Sequence, residues 1–301
     1  MTPADDSPDT GGPDLAAVPE VDSAYKQKAL AALDTVPHEP GAPKPDAILT
    51  ADGVRRRFGG LVAVDVDRVE VQRGSITALI GPNGAGKTTF FNLLTGFDQP
   101  DQGDWTFNGR SLRSVRAHRI AHLGMVRTVQ LTKALSRLTV IENMRLGATD
   151  QAGESVFKAI FPFLWRGQEN QITEQADEIL AYFKLDTKRE DFAGSLSGGQ
   201  RKLLEMARAL MVQPEMVMLD EPMAGVNPAL KQSLLGQVKA LRDRGMTVLF
   251  VEHDMDIVSH YAARVVAFYD GRVIADGAPA QVLDDAEVRR YVIGEAPHEA
   301  T

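Results

Sequence analysis

The sequence predicts an α/β fold with a parallel core sheet, a separate antiparallel β layer and a helical segment in the middle of the chain. An apolar strand at 75–80 leads through a glycine-rich turn into a helix, as strands of a parallel sheet do. Upstream of it, residues 62–66 and 69–71 alternate between apolar and polar side chains, which is typical of half-buried antiparallel strands. Residues 172–183 carry apolar side chains at helical spacing. These observations predict two β layers and an α-helical region.

The composition is that of a globular protein and argues against several classes of function. Of 301 residues, 44% are hydrophobic, and the formal net charge of −8 disfavours a nucleic-acid-binding surface. The lack of cysteine removes disulfides and thiolate metal sites. No segment approaches the roughly 18 consecutive apolar residues of a membrane span, and no secretory signal is evident. We therefore expect a cytoplasmic protein whose membrane partners, if any, are other chains.

Residues 1–47 differ from the rest of the chain and are predicted to be disordered. Up to residue 46 the chain holds eight prolines, nine acidic residues and three basic residues, and so carries most of the net negative charge. The stretch 23–33 is an exception, since its composition allows a short helix. The segment is either a docking peptide or a solvated extension, and we favour the extension. The folded part is predicted to begin at Ile48.

The segment 81–88 matches the phosphate-binding pattern G-x-x-x-x-G-K-[ST] at every fixed position. Its glycines let the backbone curl tightly, and the N–H groups and dipole of the following helix attract a polyphosphate. Lys87 is expected to reach the β- and γ-phosphates, and the Thr88 hydroxyl is expected to bind Mg²⁺. The residues of this phosphate loop predicted to contact ATP are Gly81, Pro82, Asn83, Gly84, Ala85, Gly86, Lys87, Thr88 and Thr89.

Phe58 lies ahead of the phosphate loop, in the sequence Arg-Phe-Gly-Gly. An aromatic ring at this place either stacks on a nucleotide base or packs in the core, and the residue alone leaves both interpretations open. A further strand with a turn is predicted at 105–109, which adds to the antiparallel layer.

The middle of the chain is predicted to be helical. Thr139 and Glu142 match a capping box that opens a helix at 140–146. Between this helix and the one at 172–183, residues 156–165 are rich in aromatic side chains. They form either part of the core or an exposed apolar patch for a partner, and we slightly prefer the partner.

A second anion site is predicted at 196–200, Leu-Ser-Gly-Gly-Gln, where Ser197 and Gln200 resemble a capping box. The serine-glycine-glycine turn lies at a helix N-terminus, which attracts anions. A triphosphate has only one γ-end, so two such sites in one chain favour a head-to-tail dimer. In that dimer each phosphate loop holds ATP and the partner's turn closes over it. The residues assigned to this contact are Ser197, Gly198, Gly199 and Gln200.

Two carboxylates, Asp220 and Glu221, follow the apolar strand 216–219. Because the carboxyl ends of parallel strands face the ligand crevice, Asp220 is expected to hold Mg²⁺. Glu221 is expected to act as general base toward the attacking water. The apolar strand 247–251 ends just before His253, which places His253 at the same edge of the sheet. His253 is predicted to reach the γ-phosphate and to hold the water and Glu221 in line.

The order of these motifs resembles an ATP-binding cassette (ABC) domain from about residue 48 to residue 294. The matching pieces are Phe58, 81–88, Gln130, 196–200, Asp220-Glu221 and His253. The resemblance implies a RecA-like P-loop ATPase core with an antiparallel β subdomain and an inserted α-helical subdomain. It places the domain at 48–301 and the helical subdomain at about 131–212.

The same resemblance implies roles for individual residues. Phe58 takes the place of the aromatic side chain that stacks on adenine. Gln130 takes the place of the catalytic-site glutamine that senses Mg²⁺ and couples to the membrane partner. Ser197 and Gly199 take the place of residues that contact the γ-phosphate bound to the other subunit.

Four segments, together with a long insert at 150–170, are similar to the ATPase subunits of branched-chain amino acid importers. The segments are 57–64, 92–96, 220–228 and 251–255. Asn227 stands where most ABC domains have Asp, at a position that meets the other subunit, and this substitution is typical of the subgroup. The implied partners are a second ABC ATPase subunit, identical or related, integral permease subunits and, indirectly, a solute-binding protein. The implied place of work is the cytoplasmic face of the membrane, and the acidic tail departs from the family pattern.

Other functions stay open at this stage. Related ATPases import urea or short amides, and others serve lipopolysaccharide-type lipid export. A non-transport ABC protein acting on DNA or ribosomes usually carries two cassettes or a coiled-coil insert, whereas this chain has one phosphate loop and no heptad run. A partner that binds ATP without hydrolysing it is disfavoured because Glu221 and His253 are both present.

Overall fold

The computed structural model describes residues 31–128, 135–148 and 166–294. Over these residues the chain forms two β-sheets and a group of packed helices, so the predicted α/β fold class, with a separate antiparallel layer and a helical insertion, is confirmed.

One sheet is a four-stranded antiparallel layer in the order β2-β1-β4-β5. Its strands are β1 (Ala47–Phe58), β2 (Leu61–Gln72), β4 (Gln102–Phe107) and β5 (Arg110–Ser111). The two short strands expected at 62–66 and 69–71 are one continuous strand, β2. In the first half of β2 buried residues alternate with more exposed ones, whereas residues 69–72 are all buried. The strand pairs with β1 through both halves.

The other sheet has six strands in the order β10-β9-β3-β8-β7-β6, and all its pairs are parallel except β9 with β10. Its strands are β3 (Ile76–Ile80), β6 (Met125–Arg127), β7 (Met216–Asp220), β8 (Thr247–Val251), β9 (Arg264–Tyr269) and β10 (Arg272–Gly277). All five residues of β3 are buried, as expected for a strand covered on both faces. The carboxyl ends of β3, β7 and β8 therefore meet at one edge of the sheet.

Nine α-helices with both ends in the described part of the chain surround and extend this sheet. They are α1 (Lys87–Leu94), α2 (Ala117–His122), α3 (Val140–Gly147), α4 (Arg166–Tyr182), α5 (Gly198–Leu210), α6 (Pro228–Asp243), α7 (Met255–Tyr261), α8 (Pro279–Asp284) and α9 (Ala286–Val288). Helices α3, α4 and α5 pack against one another and form the helical unit. The two expected capping boxes, at Thr139 with Glu142 and at Ser197 with Gln200, are both present. Among the described residues, no helix combines the length and apolar character that crossing a membrane requires.

Residues 31–46 pack on the domain, in contrast to the disorder expected across 1–47. Leu33, Val36 and Ala42 are buried in a small apolar cluster. The side chain of Lys44 is 1% exposed, and its Nζ lies 2.7 Å from Asp276 Oδ2 on β10. Residues 31–33 are helical, and the rest of the helix expected at 23–33 lies outside the described residues. Residues 1–30, and the aromatic segment at 156–165, lie outside the described residues.

Candidate active site

The phosphate loop is a tight turn that requires glycine at two positions. Gly81 and Gly86 have φ angles of 153° and 98°, in the range that favours glycine. A Cβ at Gly86 would lie 2.2 Å from the carbonyl oxygen of Ala63, and one at Gly81 would lie 2.3 Å from that of Phe268. Gly86 is also the N-cap of α1, whose first backbone N–H groups have no partner within the helix. The loop is therefore shaped to hold an anion at a helix start.

Lys87 places its ammonium group inside the loop. Its Nζ donates hydrogen bonds to the carbonyl oxygens of Gly81, at 2.7 Å, and Pro82, at 2.9 Å. Burial lowers the pKa of Lys87, and the nearby carboxylates of Glu221 and Asp220 oppose that shift. A cation is thus held beside two carboxylates at the carboxyl end of β3.

A cavity of about 290 Å³ lies beside the loop, with an aromatic side chain on its wall. Phe58 is 49% exposed, and the Arg56 guanidinium lies 4.8 Å from its ring centroid. The ring is therefore not part of the buried core, and its stacking on a base stays a prediction. The cavity is lined by Phe58, Leu61, Val62, Ala63, Asn83, Gly84, Ala85, Gly86, Lys87, Thr88, Thr89, Glu221, Asp270 and Gly271.

Glu221 and His253 form a close pair at the ends of neighbouring strands. The Nε2 atom of His253 lies 3.0 Å from Oε1 of Glu221. Strands β7 and β8 are in parallel register, with Asp220 opposite Val251, and the N–H of Glu221 donates to the carbonyl of Val251 at 3.2 Å. Glu221 has a φ of 47°, a strained conformation for a residue with a side chain. Such strain is commonly retained at functional positions.

Glu252, between Val251 and His253, fixes the geometry of this pair but has no role in the sequence-based assignment. Its carboxylate accepts hydrogen bonds from the backbone N–H of Met223, at 3.3 Å, and of His253, at 3.0 Å. It thereby ties the turn after Glu221 to the end of β8. Burial raises the pKa of Glu252, while these backbone donors oppose the shift. Its place directly after a buried strand is the signal that marks it in the sequence.

The oxygen atoms near the loop fit a magnesium ion that also binds phosphate. Thr88, Asp220 and Glu221 line one cavity of about 620 Å³. Hydroxyl and carboxylate oxygens are the donors that Mg²⁺ prefers, and Mg²⁺ commonly takes the rest of its shell from water and substrate phosphates. No group of three or more His, Cys, Asp or Glu side chains suited to a metal occurs in the described part of the chain. Gln130, the third expected contributor, lies outside the described residues.

Arg127 joins the site without having been assigned a role from the sequence. Its Nη2 lies 2.5 Å from Oδ2 of Asp220, and its Nη1 lies 2.5 Å from Oδ1 of Asn92 on α1. The motif Arg-Thr-Val-Gln is visible in the sequence. Only the parallel pairing of β6 with β7 shows that its first residue reaches the carboxylate.

The serine-glycine-glycine turn is built as expected but lies apart from the phosphate loop. The Ser197 hydroxyl accepts from the N–H of Gln200, and the Gln200 side chain accepts from the N–H of Ser197. A Cβ at Gly199 would lie 1.6 Å from Cδ2 of Leu230, so the leucine side chain would have to move. None of Ser197, Gly198, Gly199 and Gln200 lines either cavity beside the phosphate loop. Within one chain, the structure does not bring the two anion-binding helix starts together.

A third cavity, of about 560 Å³, forms a groove between the parallel sheet and the helical unit. Helix α2 and the end of β6 form one wall, and the ends of α3 and α5 form the other. Phe97 and Leu146 line it and are 63% and 60% exposed. Large exposed apolar side chains on both walls are typical of a protein-binding surface.

The chain is similar to ATP-binding proteins of known transporters. A family model described as "ABC transporter" matches residues 64–224. A probable branched-chain amino acid transport ATP-binding protein LivG of Archaeoglobus fulgidus is 40% identical, over 82% of this chain and 95% of that protein. The high-affinity branched-chain amino acid transport ATP-binding protein BraF of Pseudomonas aeruginosa is 37% identical, over 83% and 98%. The crystal structure of the ADP conformation of MJ1267, an ATP-binding cassette of an ABC transporter, superposes with a TM-score of 0.72 at 36% identity, covering 83% of this chain and 99% of that one.

Proposed function

This chain belongs to the ABC transporter family of ATP-binding proteins, and we propose that its ATP hydrolysis powers the import of branched-chain amino acids. The protein is an ATPase subunit of a transporter, as its homologues are. The observation that carries the proposal is the meeting of the phosphate loop, the carboxylates of Asp220 and Glu221, and His253 at one edge of the parallel sheet. The choice of cargo rests on the relatives, which are ATP-binding proteins of branched-chain amino acid transport.

ATP binds with its phosphates in the loop and its base on Phe58. The exposed ring of Phe58 lines the same cavity as the loop residues, which supports stacking on adenine. Lys87 neutralises the terminal phosphates, since its Nζ already lies within the loop. The helix N-terminus at Gly86 adds backbone N–H donors toward the phosphate oxygens.

Thr88 and Asp220 would hold Mg²⁺, and Gln130 is proposed as a further contact. When bound, the ion would neutralise charge that develops on the transferred phosphoryl group. The chain's own contribution is the placing of two hard oxygen donors on one cavity wall.

Glu221 accepts a proton from the water that attacks the γ-phosphate, with His253 as its positioning partner. The 3.0 Å contact between the two side chains restrains the carboxylate, and the backbone strain at Glu221 directs it into the cavity that also contains Thr88. General-base catalysis of this kind contributes roughly 10²- to 10⁴-fold in rate.

The nucleotide-binding site is completed by a second ATPase subunit. Ser197, Gly198, Gly199 and Gln200 form a capped helix start that is separated from their own chain's loop. A head-to-tail pair places this helix start against the γ-phosphate bound to the partner. Asn227 caps α6 through a 3.0 Å hydrogen bond from the N–H of Leu230, which packs beside Gly199.

The groove between the sheet and the helical unit receives a helix of the permease. The exposed Phe97 and Leu146 supply apolar contact area on its two walls. Binding there places the subunit at the cytoplasmic face of the membrane, as a peripheral component beside permease subunits and, indirectly, a solute-binding protein. No nucleic acid is among the expected partners, in keeping with the net charge of −8.

The hydrolytic part of the proposal is tested with Glu221→Gln in the purified full chain. The variant is expected to bind ATP as tightly as the parent while turnover falls at least about 100-fold, because the base is lost and the loop is intact. Gln232→Glu replaces an amide by a carboxylate on the exposed side of α6 and serves as the control, which should leave turnover unchanged. A Glu221→Gln variant that hydrolyses like the parent would show that the base is another group.

The cargo is tested in proteoliposomes that contain the chain with its co-purified permease. Leucine, presented with the cognate binding protein, is expected to stimulate ATP turnover, whereas urea, short amides and lipopolysaccharide are not. If one of those compounds stimulates turnover and leucine does not, the ATPase function stands and the proposed cargo is wrong.

A further inference from the structure

Arg127 makes a two-pronged bridge between the phosphate-loop helix and the metal-binding carboxylate. One guanidinium nitrogen lies 2.5 Å from Asp220 Oδ2, and another lies 2.5 Å from Asn92 Oδ1. The guanidinium also lies 5.7 Å from the ring centroid of Phe91. The side chain is only 13% exposed, so packing as well as polar contact holds it in place. This geometry is a fixed fork, which the planar guanidinium provides and an ammonium group does not.

The position of Arg127 follows from the sheet. It is the last residue of the edge strand β6, and its Cα pairs with that of Met218 on β7. Two residues further along β7 comes Asp220, so the side chain needs to cross only to the neighbouring strand end. The N–H of the next residue, Thr128, donates to the carbonyl of Met218 at 3.0 Å and anchors the start of the segment that leads to Gln130.

We propose that Arg127 is the positioning residue of the metal ligand Asp220, an inference that rests on the proposed ATPase function. The bridge occupies Oδ2 of Asp220, while no hydrogen bond to Oδ1 is seen within the described part of the chain. Oδ1 is therefore the oxygen presented to Mg²⁺ or to its bound water. Hydrogen bonds to a metal ligand orient it, and their loss typically weakens metal binding by about 10- to 100-fold.

The Arg127 guanidinium would repel an isolated Mg²⁺ ion, but the ligand that binds here is the complex of the ion with the nucleotide. The nucleotide arrives carrying about four negative charges against the two positive charges of Mg²⁺. The complex is therefore anionic, and a nearby guanidinium attracts it. Orientation and overall charge act in the same direction, so removing Arg127 weakens metal-nucleotide binding.

The same side chain borders the permease groove. Arg127 and Thr128 line both the cavity that contains Asp220 and the groove that contains Phe97 and Leu146. A helix seated in the groove therefore lies beside the side chain that holds the metal ligand.

The test measures metal binding without turnover, in the Glu221→Gln background of the full chain. Electron paramagnetic resonance titration with Mn²⁺ and ATP reports the metal affinity. Arg127→Met is expected to weaken Mn²⁺ binding about 10- to 100-fold. Arg127→Lys keeps the charge but loses the fork, and is expected to be weakened as well. Arg110→Gln, which removes an exposed arginine from β5, serves as the control and is expected to bind Mn²⁺ like the parent.

A double variant shows whether the effect acts through the carboxylate. In an Asp220→Asn background, Arg127→Met is expected to cause a clearly smaller loss of Mn²⁺ affinity, because only the attraction of its charge for the anionic complex is then left to lose. ATP binding in EDTA and the thermal unfolding curve report whether the loop and fold are intact. Asn92→Ala keeps Arg127 but removes its hydrogen bond to Asn92, and is also expected to weaken Mn²⁺ binding. This variant replaces Arg127→Met if Arg127→Met does not fold.

Two results separate failure of this inference from failure of the function. Unchanged or tighter Mn²⁺ binding in Arg127→Met, or an equal loss with and without Asp220, overturns the positioning role while the unsubstituted chain still hydrolyses ATP. A chain without ATP turnover at any Mg²⁺ concentration would instead remove the proposed function itself.

Discussion

Replacing Asp276 by Asn tests how the proline-rich segment at 31–46 is held on the domain. The Asp276 carboxylate, 0% exposed, lies 2.7 Å from Lys44 Nζ and 2.6 Å from Arg264 Nε, whose side chains are 1% and 2% exposed. Arg264 also donates to the carbonyl oxygens of Val36, at 3.4 Å, and Pro37, at 2.6 Å. One buried carboxylate thus pairs with Lys44 of the segment and with Arg264, which binds the segment's carbonyl groups.

Asp276→Asn is expected to be strongly destabilising. Removing the shared anion deprives two buried cations of their ion-pair partner, and breaking a buried pair in this way costs about 3–5 kcal/mol. For a domain of this size each kcal/mol lowers Tm by roughly 2–4 °C, so the midpoint should fall by about 10 °C. Lys44→Met should cost less, because Arg264 and Asp276 then remain paired. The side chain of Asp284 is 82% exposed and pairs with Arg289 at the surface. Asp284→Asn should therefore change the free energy of unfolding by less than about 0.5 kcal/mol.

The defect also has a predicted pH dependence. Burial lowers the pKa of Lys44, and Asp276 is the largest influence that raises it again. Without Asp276 the folded-state pKa falls further below the unfolded value of 10.5. The unfolded state then binds more protons than the folded state over that interval, so stability rises with pH. The deficit of Asp276→Asn should therefore narrow as pH increases from neutrality toward 10.

Urea unfolding followed by circular dichroism, at several pH values, measures these free energies directly. The expected order of destabilisation is Asp276→Asn, then Lys44→Met, then Asp284→Asn. A loss below about 1 kcal/mol for Asp276→Asn, with no dependence on pH, would refute the buried cluster as the anchor of the segment.

Three further predictions concern the site. Gly86→Ala should abolish ATP binding in a fluorescent-nucleotide titration, because its Cβ would lie 2.2 Å from the carbonyl oxygen of Ala63. Gly109 also has a positive φ, of 72°, but open space around it, so Gly109→Ala is the control and should bind ATP normally. His253→Ala should lower kcat by roughly 10²-fold with ATP affinity retained, and an unchanged kcat would remove its positioning role. Asn227→Ala deletes the side-chain cap of α6 and should lower the free energy of unfolding by about 1 kcal/mol in a urea titration, whereas no loss would show that the cap is not needed.

The parts of the fold that depend on short stretches of sequence could be predicted. The phosphate loop, both capping boxes and the strand ends before Glu221 and His253 each need only a few neighbouring residues, because turn chemistry and hydrogen-bond geometry fix them locally. The strand order then brings Glu221 and His253 together, since parallel neighbours end at one edge.

The contacts made across long stretches of sequence could not be predicted. Lys44 and Asp276 are 232 residues apart, and nothing near Lys44 in the sequence marks it as buried. The prolines predicted disorder because they prevent regular structure, but an extended segment can still dock through its carbonyl groups, as it does on Arg264. Arg127 was visible beside Gln130, yet its bond to Asp220 depends on the pairing of two strands.

The most direct measurement of the central claim mixes two inactive variants, Lys87→Ala and Ser197→Arg, and follows ATP turnover. In a head-to-tail pair, the mixed dimer has one site made of two damaged halves and one site made of two intact halves. With random pairing and independent sites, turnover should return to about a quarter of the parental rate. A mixture as inactive as its separate components would contradict a nucleotide shared between two chains.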